Sequence, residues 1–328
     1  MTVKGGPRNV SSSQSHHRRR QTEFRALSAQ PSIPAPPLRN GQRDTPFHAT
    51  TKGVINALCF DIDDLAYALK QLFDMRLADS PWLVDKETFS LLEGLADLGL
   101  QGTMFVPGYV AERFPTLVRA IADAGHHIAS HGMYHQSVES LGRKAFFDDV
   151  SRCKKLLEDL IGKEVDTYKA PRWTITSRTL WAYDELIAAG YRVDNSAMPS
   201  LVRSLGHSAV ENRPLRYKDT LTVIPATAVS LLGKAIPMNG GFYSAYVPVF
   251  LLVRWYRRLN QKGLPFNYYT HPFEFSPAGM NRRLYKYRSW YVSLFAAHTG
   301  RYRSYVSRLA SYFDFGPLEV AYRAFLGP

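Results

Sequence analysis

The 328-residue sequence predicts an α/β fold in which a parallel sheet curls into a barrel. Three observations carry this. Short apolar runs of strand length recur between residues 54 and 270, and helical stretches separate them. The units alternate at the spacing of right-handed crossovers, and six or seven of them in one domain point to barrel-like closure. The conspicuous polar residues cluster at the ends of apolar runs, and barrels of this kind keep active residues at the carboxyl ends of strands.

Val54–Phe60 is a short buried strand, apolar at nearly every position. Lys86–Leu98 reads as a helix: Phe89, Leu91, Leu92, Leu95 and Leu98 share a face, and Gly99 stops it. Gly102–Val106 is the second strand. Pro115–Ala124 is a helix with Pro near its start and Gly125 past its end. His127–Ser130 is the third strand. Lys144–Ile161 is amphipathic and ends at Gly162, before a fourth strand at Val165–Ala170. Ser177–Ala189 is a helix closed by Gly190, and Tyr191–Asp194 is the fifth strand. Leu221–Ile224 and Asn267–Thr270 complete the strands, with a helix over Val249–Asn260 between them.

Charge divides the chain differently. Residues 1–52 hold nine Lys/Arg against two Asp/Glu, and residues 254–328 hold twelve against three. The formal net charge is +13, so residues 53–253 carry −3. The first 52 residues are rich in Ser, Pro, Arg and Gln and read as a disordered basic tail. The domain reading is therefore a tail at 1–52, a barrel at 53–281 and a helical extension at 282–328 packed on it. Basic ends suit an anionic membrane surface, and they suit simple solubilisation equally well. The extension alternates aromatic and basic residues (Tyr285, Lys286, Tyr287, Arg288, Trp290, Tyr291), which also suits an interfacial layer. No nucleic-acid reading motif accompanies the charge. Two cysteines, Cys59 and Cys153, do not make a disulfide framework. No secretory signal or spanning segment is legible, and a cytoplasmic location peripheral to the inner membrane is expected.

The chemistry centres on two motifs. Ser130-His131-Gly132-Met133-Tyr134-His135 places two imidazoles four residues apart, and Asp61-Ile62-Asp63-Asp64 ends the first strand with three carboxylates. Two His and one carboxylate form a ligand set that leaves a metal position open. A free Asp beside it would take a proton from water, and His271 would give one to a leaving amine. That is hydrolysis of an amide or ester. Lys169, Arg172 and Asp194 fall on the same rim.

These segments resemble the polysaccharide deacetylases with a NodB-type domain, the carbohydrate esterase family 4 group, and more narrowly a subgroup linked to exopolysaccharide biosynthesis. The matching stretches are Phe60–Asp64, Gly102–Gly108, Gly125–Gly132, Tyr168–Pro171 and Tyr269–Glu274, over roughly residues 54–316. The resemblance implies a distorted (β/α) barrel of about seven strands. It implies removal of acetyl from an N-acetylated glycan and a divalent metal, zinc first, then cobalt, nickel or manganese. On this resemblance Asp61 is the general base, and His131 and His135 are metal ligands. Asp63 is the carboxylate ligand, with Asp64 as the alternative. His271 is the general acid, and the backbone N–H of Arg172 donates to the oxyanion. Trp173 walls the sugar site; Asp194 and Tyr269 are further substrate-binding candidates.

The family usually has Arg where this chain has Lys169, and the subgroup more often has Glu where Asp63 stands. Arg forks onto the base carboxylate, whereas Lys supplies a point charge. Two other readings fit the same residues. One is hydrolysis of a small linear or cyclic amide. The other is a catalytically impaired glycan binder with an aromatic groove of Trp173, Tyr243, Tyr269 and Phe273.

Overall fold

Side-chain alternation along the strands decides which residues reach the barrel interior. The computed structural model describes residues 53–65, 67, 82–208, 211–240, 244, 246–275 and 301–326. The predicted tail at 1–52, Tyr243 and residues 282–300 of the predicted extension lie outside the described residues.

The strands are β1 (Ile55–Asp61), β2 (Thr103–Val106), β3 (His127–Ser130), β4 (Thr167–Tyr168), β5 (Val193–Ala197), β6 (Leu215–Tyr217), β7 (Leu221–Pro225), β8 (Ala228–Leu231), β9 (Lys234–Pro237), β10 (Asn267–Thr270) and β11 (Asp314–Gly316). The main sheet runs β10-β1-β2-β3-β4-β5-β7-β6, with β11 also beside β1. Every neighbouring pair is parallel except β6 with β7. β8 and β9 form a separate hairpin. Helices α1 (Val84–Leu98), α2 (Gly108–Arg113), α3 (Pro115–Asp123), α4 (Val138–Ile161), α5 (Ala182–Ala188), α6 (Pro199–Ser204), α7 (Val249–Asn260), α8 (Pro272–Phe275), α9 (Arg301–Ala310) and α10 (Leu318–Ala321) complete the fold.

All seven strands expected from the sequence are present. Along β1, Leu58 and Phe60 pack outward with the apolar faces of α1 and α3. Ala57 and Cys59 turn the other way, joining Phe105, Ala129, Val193 and Ile224 in an inner core. Leu318 and Tyr322, carried behind β11, pack into this inner core; Leu318 N–H donates to Thr103 Oγ1 and the Tyr322 hydroxyl to Pro265 O. Each fully buried large apolar side chain contributes about 1.5–3 kcal/mol.

No strand pairs β7 with β10 among the described residues. Side-chain and backbone hydrogen bonds bridge that gap. Asn267 Nδ2 donates to Pro225 O at 2.7 Å, Asn267 N to Thr227 Oγ1 at 2.9 Å, and Tyr269 N to Asn239 O at 2.7 Å. The barrel is thus a curled sheet closed by an irregular seam.

Several boundaries differ from expectation, the helix expected over Ser177–Ala189 beginning only at Ala182. The fourth strand shrinks to two residues, because Ala170 N donates to Ser196 Oγ and Pro171 has no N–H to give. The fifth begins at Val193, because Tyr191 N closes α5 by bonding Leu186 O. α4 starts at Val138 rather than Lys144: Ser137 accepts Ser140 N as an N-cap, and Gly142 (φ 67°) kinks the helix beyond it. Among the described residues no helix is long and apolar enough to cross a membrane.

Candidate active site

Asp61 is the last residue of β1 and continues the inward row of Ala57 and Cys59. Lys169, just after β4, donates Nζ to Asp61 Oδ1 at 2.7 Å and Oδ2 at 2.6 Å. Both side chains are almost fully buried, at 1% and 6% exposure. The ammonium also lies 4.1 Å from the ring centre of Tyr269, 4.4 Å from that of Trp173 and 5.3 Å from that of Phe105. An aromatic cage of this kind stabilises a desolvated cation. The point charge therefore reaches both Asp61 oxygens without a guanidinium fork.

Asp63, His131 and His135 converge, their ligand atoms lying within 4.8 Å of one another. Asp63 Oδ2 stands 3.1 Å from His135 Nε2 and 3.7 Å from His131 Nε2. His131 Nδ1 is 2.8 Å from Lys169 O, a group that only accepts, so Nδ1 carries the proton and Nε2 presents a lone pair. Burial pushes the His131 imidazole down to about 4, keeping it neutral. Burial alone would raise the Asp63 carboxyl, but the adjacent imidazoles of His135 and His131 hold it below the usual carboxylate range. Asp63 Oδ1 is buried without a hydrogen-bond partner among the described residues. Buried lone pairs facing one another, with an orphaned carboxylate oxygen, fit a divalent cation held by two nitrogens and one oxygen.

Asp64 does not join this group. Its carboxylate accepts Leu83 N at 3.0 Å, Val84 N at 3.3 Å and Tyr67 N at 3.2 Å. It tethers the start of α1, so Asp63 rather than Asp64 is the carboxylate that faces the two histidines.

Across the rim, His271 Nε2 stands 4.0 Å from Asp61 Oδ2. Its Nδ1 is 2.9 Å from Glu274 Oε2, and the same oxygen accepts His271 N and Thr270 Oγ1. Phe273 stacks on the imidazole at 4.6 Å and is buried, so it backs His271 rather than lining a groove. Burial would lower the His271 pKa, but Glu274, Asp61 and Asp63 together raise it. The imidazolium form is thereby favoured, with its Nδ1–H fixed on Glu274 and Nε2 facing the site.

Arg172 (φ 54°) and Trp173 (φ 58°) both occupy left-handed backbone, which costs a non-glycine residue on the order of 1 kcal/mol. Strain of this kind gathers at functional sites. The Arg172 side chain is exposed and does not touch Asp61, whose charge partner is Lys169. Trp173 and Tyr269 meet edge to face at 5.6 Å, both partly exposed.

Asp194 is placed differently from expectation. It is fully buried within β5, and its carboxylate accepts Ser196 N at 2.9 Å and Ser196 Oγ at 2.6 Å. Burial pushes it up to about 7. Ser196 Oγ in turn accepts Ala170 N, so Asp194 props the Lys169–Trp173 turn from below instead of meeting a substrate. Sequence reasoning also missed Glu274, Phe105 and Asp149. Glu274, three residues after His271, carried a readable spacing signal; Asp149 lies on α4 and carried none.

Residues 68–192 match the family model for polysaccharide deacetylase, and residues 195–322 match a domain of unknown function, DUF3473. Residues 68–192 are thus similar to polysaccharide deacetylase domains. The first match supplies His131, His135 and Lys169; the second supplies Tyr269, His271 and Glu274. A peptidoglycan deacetylase of Helicobacter pylori is 32% identical over 99 residues, covering 30% of this chain and 33% of that protein. A peptidoglycan-N-acetylglucosamine deacetylase of Bacillus cereus is 26% identical over 99 residues, covering 30% of this chain and 36% of that protein. The matched segment thus spans about a third of either relative. A crystal structure from Mycobacterium smegmatis, described as a polysaccharide deacetylase, superposes with TM-score 0.53 at 20% identity. That match covers 81% of this chain and 88% of the other, and shows a shared fold.

Proposed function

We propose that this protein is a divalent-metal hydrolase that removes acetyl groups from an N-acetylated amino sugar within a glycan. One observation carries the reading. A buried Asp–His–His set lies beside a Lys-bridged aspartate, with a carboxylate-oriented histidine facing that aspartate. Asp63, His131 and His135 would hold the cation, zinc first by donor type, with cobalt, nickel or manganese also suited. A divalent cation bound there supplies Lewis acidity toward water and a carbonyl oxygen.

The chain's own residues do the rest. Asp61 accepts a proton from water, and Lys169 holds both its oxygens so that the carboxylate stays aimed. His271 gives its Nε2 proton to the leaving amine, its orientation set by Glu274. The Arg172 N–H, turned by left-handed backbone, donates to the developing oxyanion. Trp173 and Tyr269 wall the sugar.

The substrate assignment draws on the relatives, which are by name a peptidoglycan deacetylase and a peptidoglycan-N-acetylglucosamine deacetylase. We propose an exopolysaccharide or its lipid-linked precursor, with the protein in the cytoplasm against the inner membrane through its basic ends. Protein reconstituted with Zn(II) should release acetate from N-acetylated oligosaccharides. His131→Ala should abolish both metal retention and release. Turnover of small cyclic amides without acetate release would replace this reading, and glycan binding unaffected by chelator would remove catalysis from it.

A further inference from the structure

His131 and His135 are held in different ways. The His131 ring is fixed by its Nδ1–H on Lys169 O. The His135 ring has no such support: its Nδ1 is buried with no hydrogen-bond partner among the described residues. Its backbone is left-handed (φ 54°). Its position therefore depends on the three residues that lead to it.

Those residues are gripped at five of their six polar backbone groups. Gly132 O accepts Gly108 N, Met133 O accepts Tyr109 N, and Tyr134 O accepts the Tyr67 hydroxyl. On the other side, Asp149 of α4 accepts Met133 N at 2.8 Å and also the Tyr134 N–H. One turn on, Arg152 lies over the Tyr134 ring at 5.6 Å and is tied to Glu112 at 2.6 Å. Gly132 (φ 72°) leaves little room: a Cβ there would sit 3.1 Å from Asp149 Oδ2.

We infer that Asp149 is a positioning residue for the metal centre. It acts through the backbone to hold His135, in place of the ring hydrogen bond that His131 has. A carboxylate taking two consecutive N–H groups makes two charge-assisted bonds, and partners that orient a ligand typically change metal affinity by about 10–100-fold. This rests on the metal-site reading above.

Titration of the full chain with Co(II), followed by its visible absorption and by competition with a chelator, tests the idea. Asp149→Ala should weaken Co(II) binding by about 10–100-fold and alter the absorption bands. Asp149→Asn keeps an acceptor but not the charge, and should fall between it and the wild type. Circular dichroism of the metal-free proteins reports the fold separately. Weakened Co(II) binding in Asp149→Asn with an unchanged metal-free melting temperature supports the proposal even if Asp149→Ala does not fold. A lowered melting temperature with unchanged Co(II) affinity and spectrum in both variants would overturn it, making Asp149 structural. A wild-type chain that binds no Co(II) would overturn the metal-site reading and this proposal together.

Discussion

Replacing Lys169 by Met removes the ammonium while keeping a chain of similar length. In the native site that ammonium bonds both oxygens of Asp61 at 2.6–2.7 Å, and both side chains are almost fully buried. Removing one partner of a buried pair costs about 3–5 kcal/mol if the other stays charged. Asp61 avoids much of that cost by taking up a proton, so the fold should lose less than the full amount. The cost then appears in catalysis, because a protonated Asp61 accepts nothing from water. General-base help is worth about 10²–10⁴ in rate, so kcat at neutral pH should fall by that factor, with partial recovery as pH rises. Lys169→Arg keeps the charge but must fit the wider guanidinium between Phe105, Trp173 and Tyr269. Overpacking of that kind costs about 1–3 kcal/mol, and its activity should lie between Met and wild type. Acetate release against pH, beside thermal melts, measures both. A Lys169→Met protein with wild-type kcat at neutral pH would refute the assignment of Asp61 as a base held by Lys169.

Glu274→Gln removes the charge that raises the His271 pKa. The alkaline limb of kcat/KM, where His271 loses its proton, should move to lower pH, and a pH–rate profile that does not move would exclude His271 as the acid. Asp194→Asn tests the buried carboxyl. Its pKa in the fold is pushed up to about 7, above its unfolded value, so its contribution is full at acid pH and is lost as pH rises through 7. The variant should gain roughly 2–4 kcal/mol over wild type at pH 8 and little at pH 4, read from urea melts at both. Asp64→Ala frees the start of α1 and should cost about 0.5–2 kcal/mol, the range for losing a cap. Metal content should stay unchanged, whereas Asp63→Ala should lose the metal with little loss of fold.

Apolar periodicity and helix-stop glycines were enough to read the seven parallel strands in order. Both signals are local: a strand buried on both faces must be apolar, and a helix ending in left-handed backbone needs glycine, as at Gly99 (φ 63°) and Gly162 (φ 66°). The rim followed from them, because Asp61, His131, Lys169 and His271 each sit where a strand ends. The short strand β6, the β8–β9 hairpin and the β7–β10 seam were not legible, since they are specified by distant partners such as Asn267 with Pro225.

Residue types and spacing along the chain were sufficient for the ligand types, for a candidate base and acid, and for the parallel sheet that gathers them. They could not separate Asp63 from Asp64, because adjacent carboxylates differ only in direction. In the fold Asp64 takes the N–H groups of Leu83 and Val84 while Asp63 turns to the histidines. Nor could they say whether a lysine can stand at position 169. That depends on Tyr269, a hundred residues further on, and on Phe105 and Trp173, whose rings surround the ammonium only once the sheet has curled.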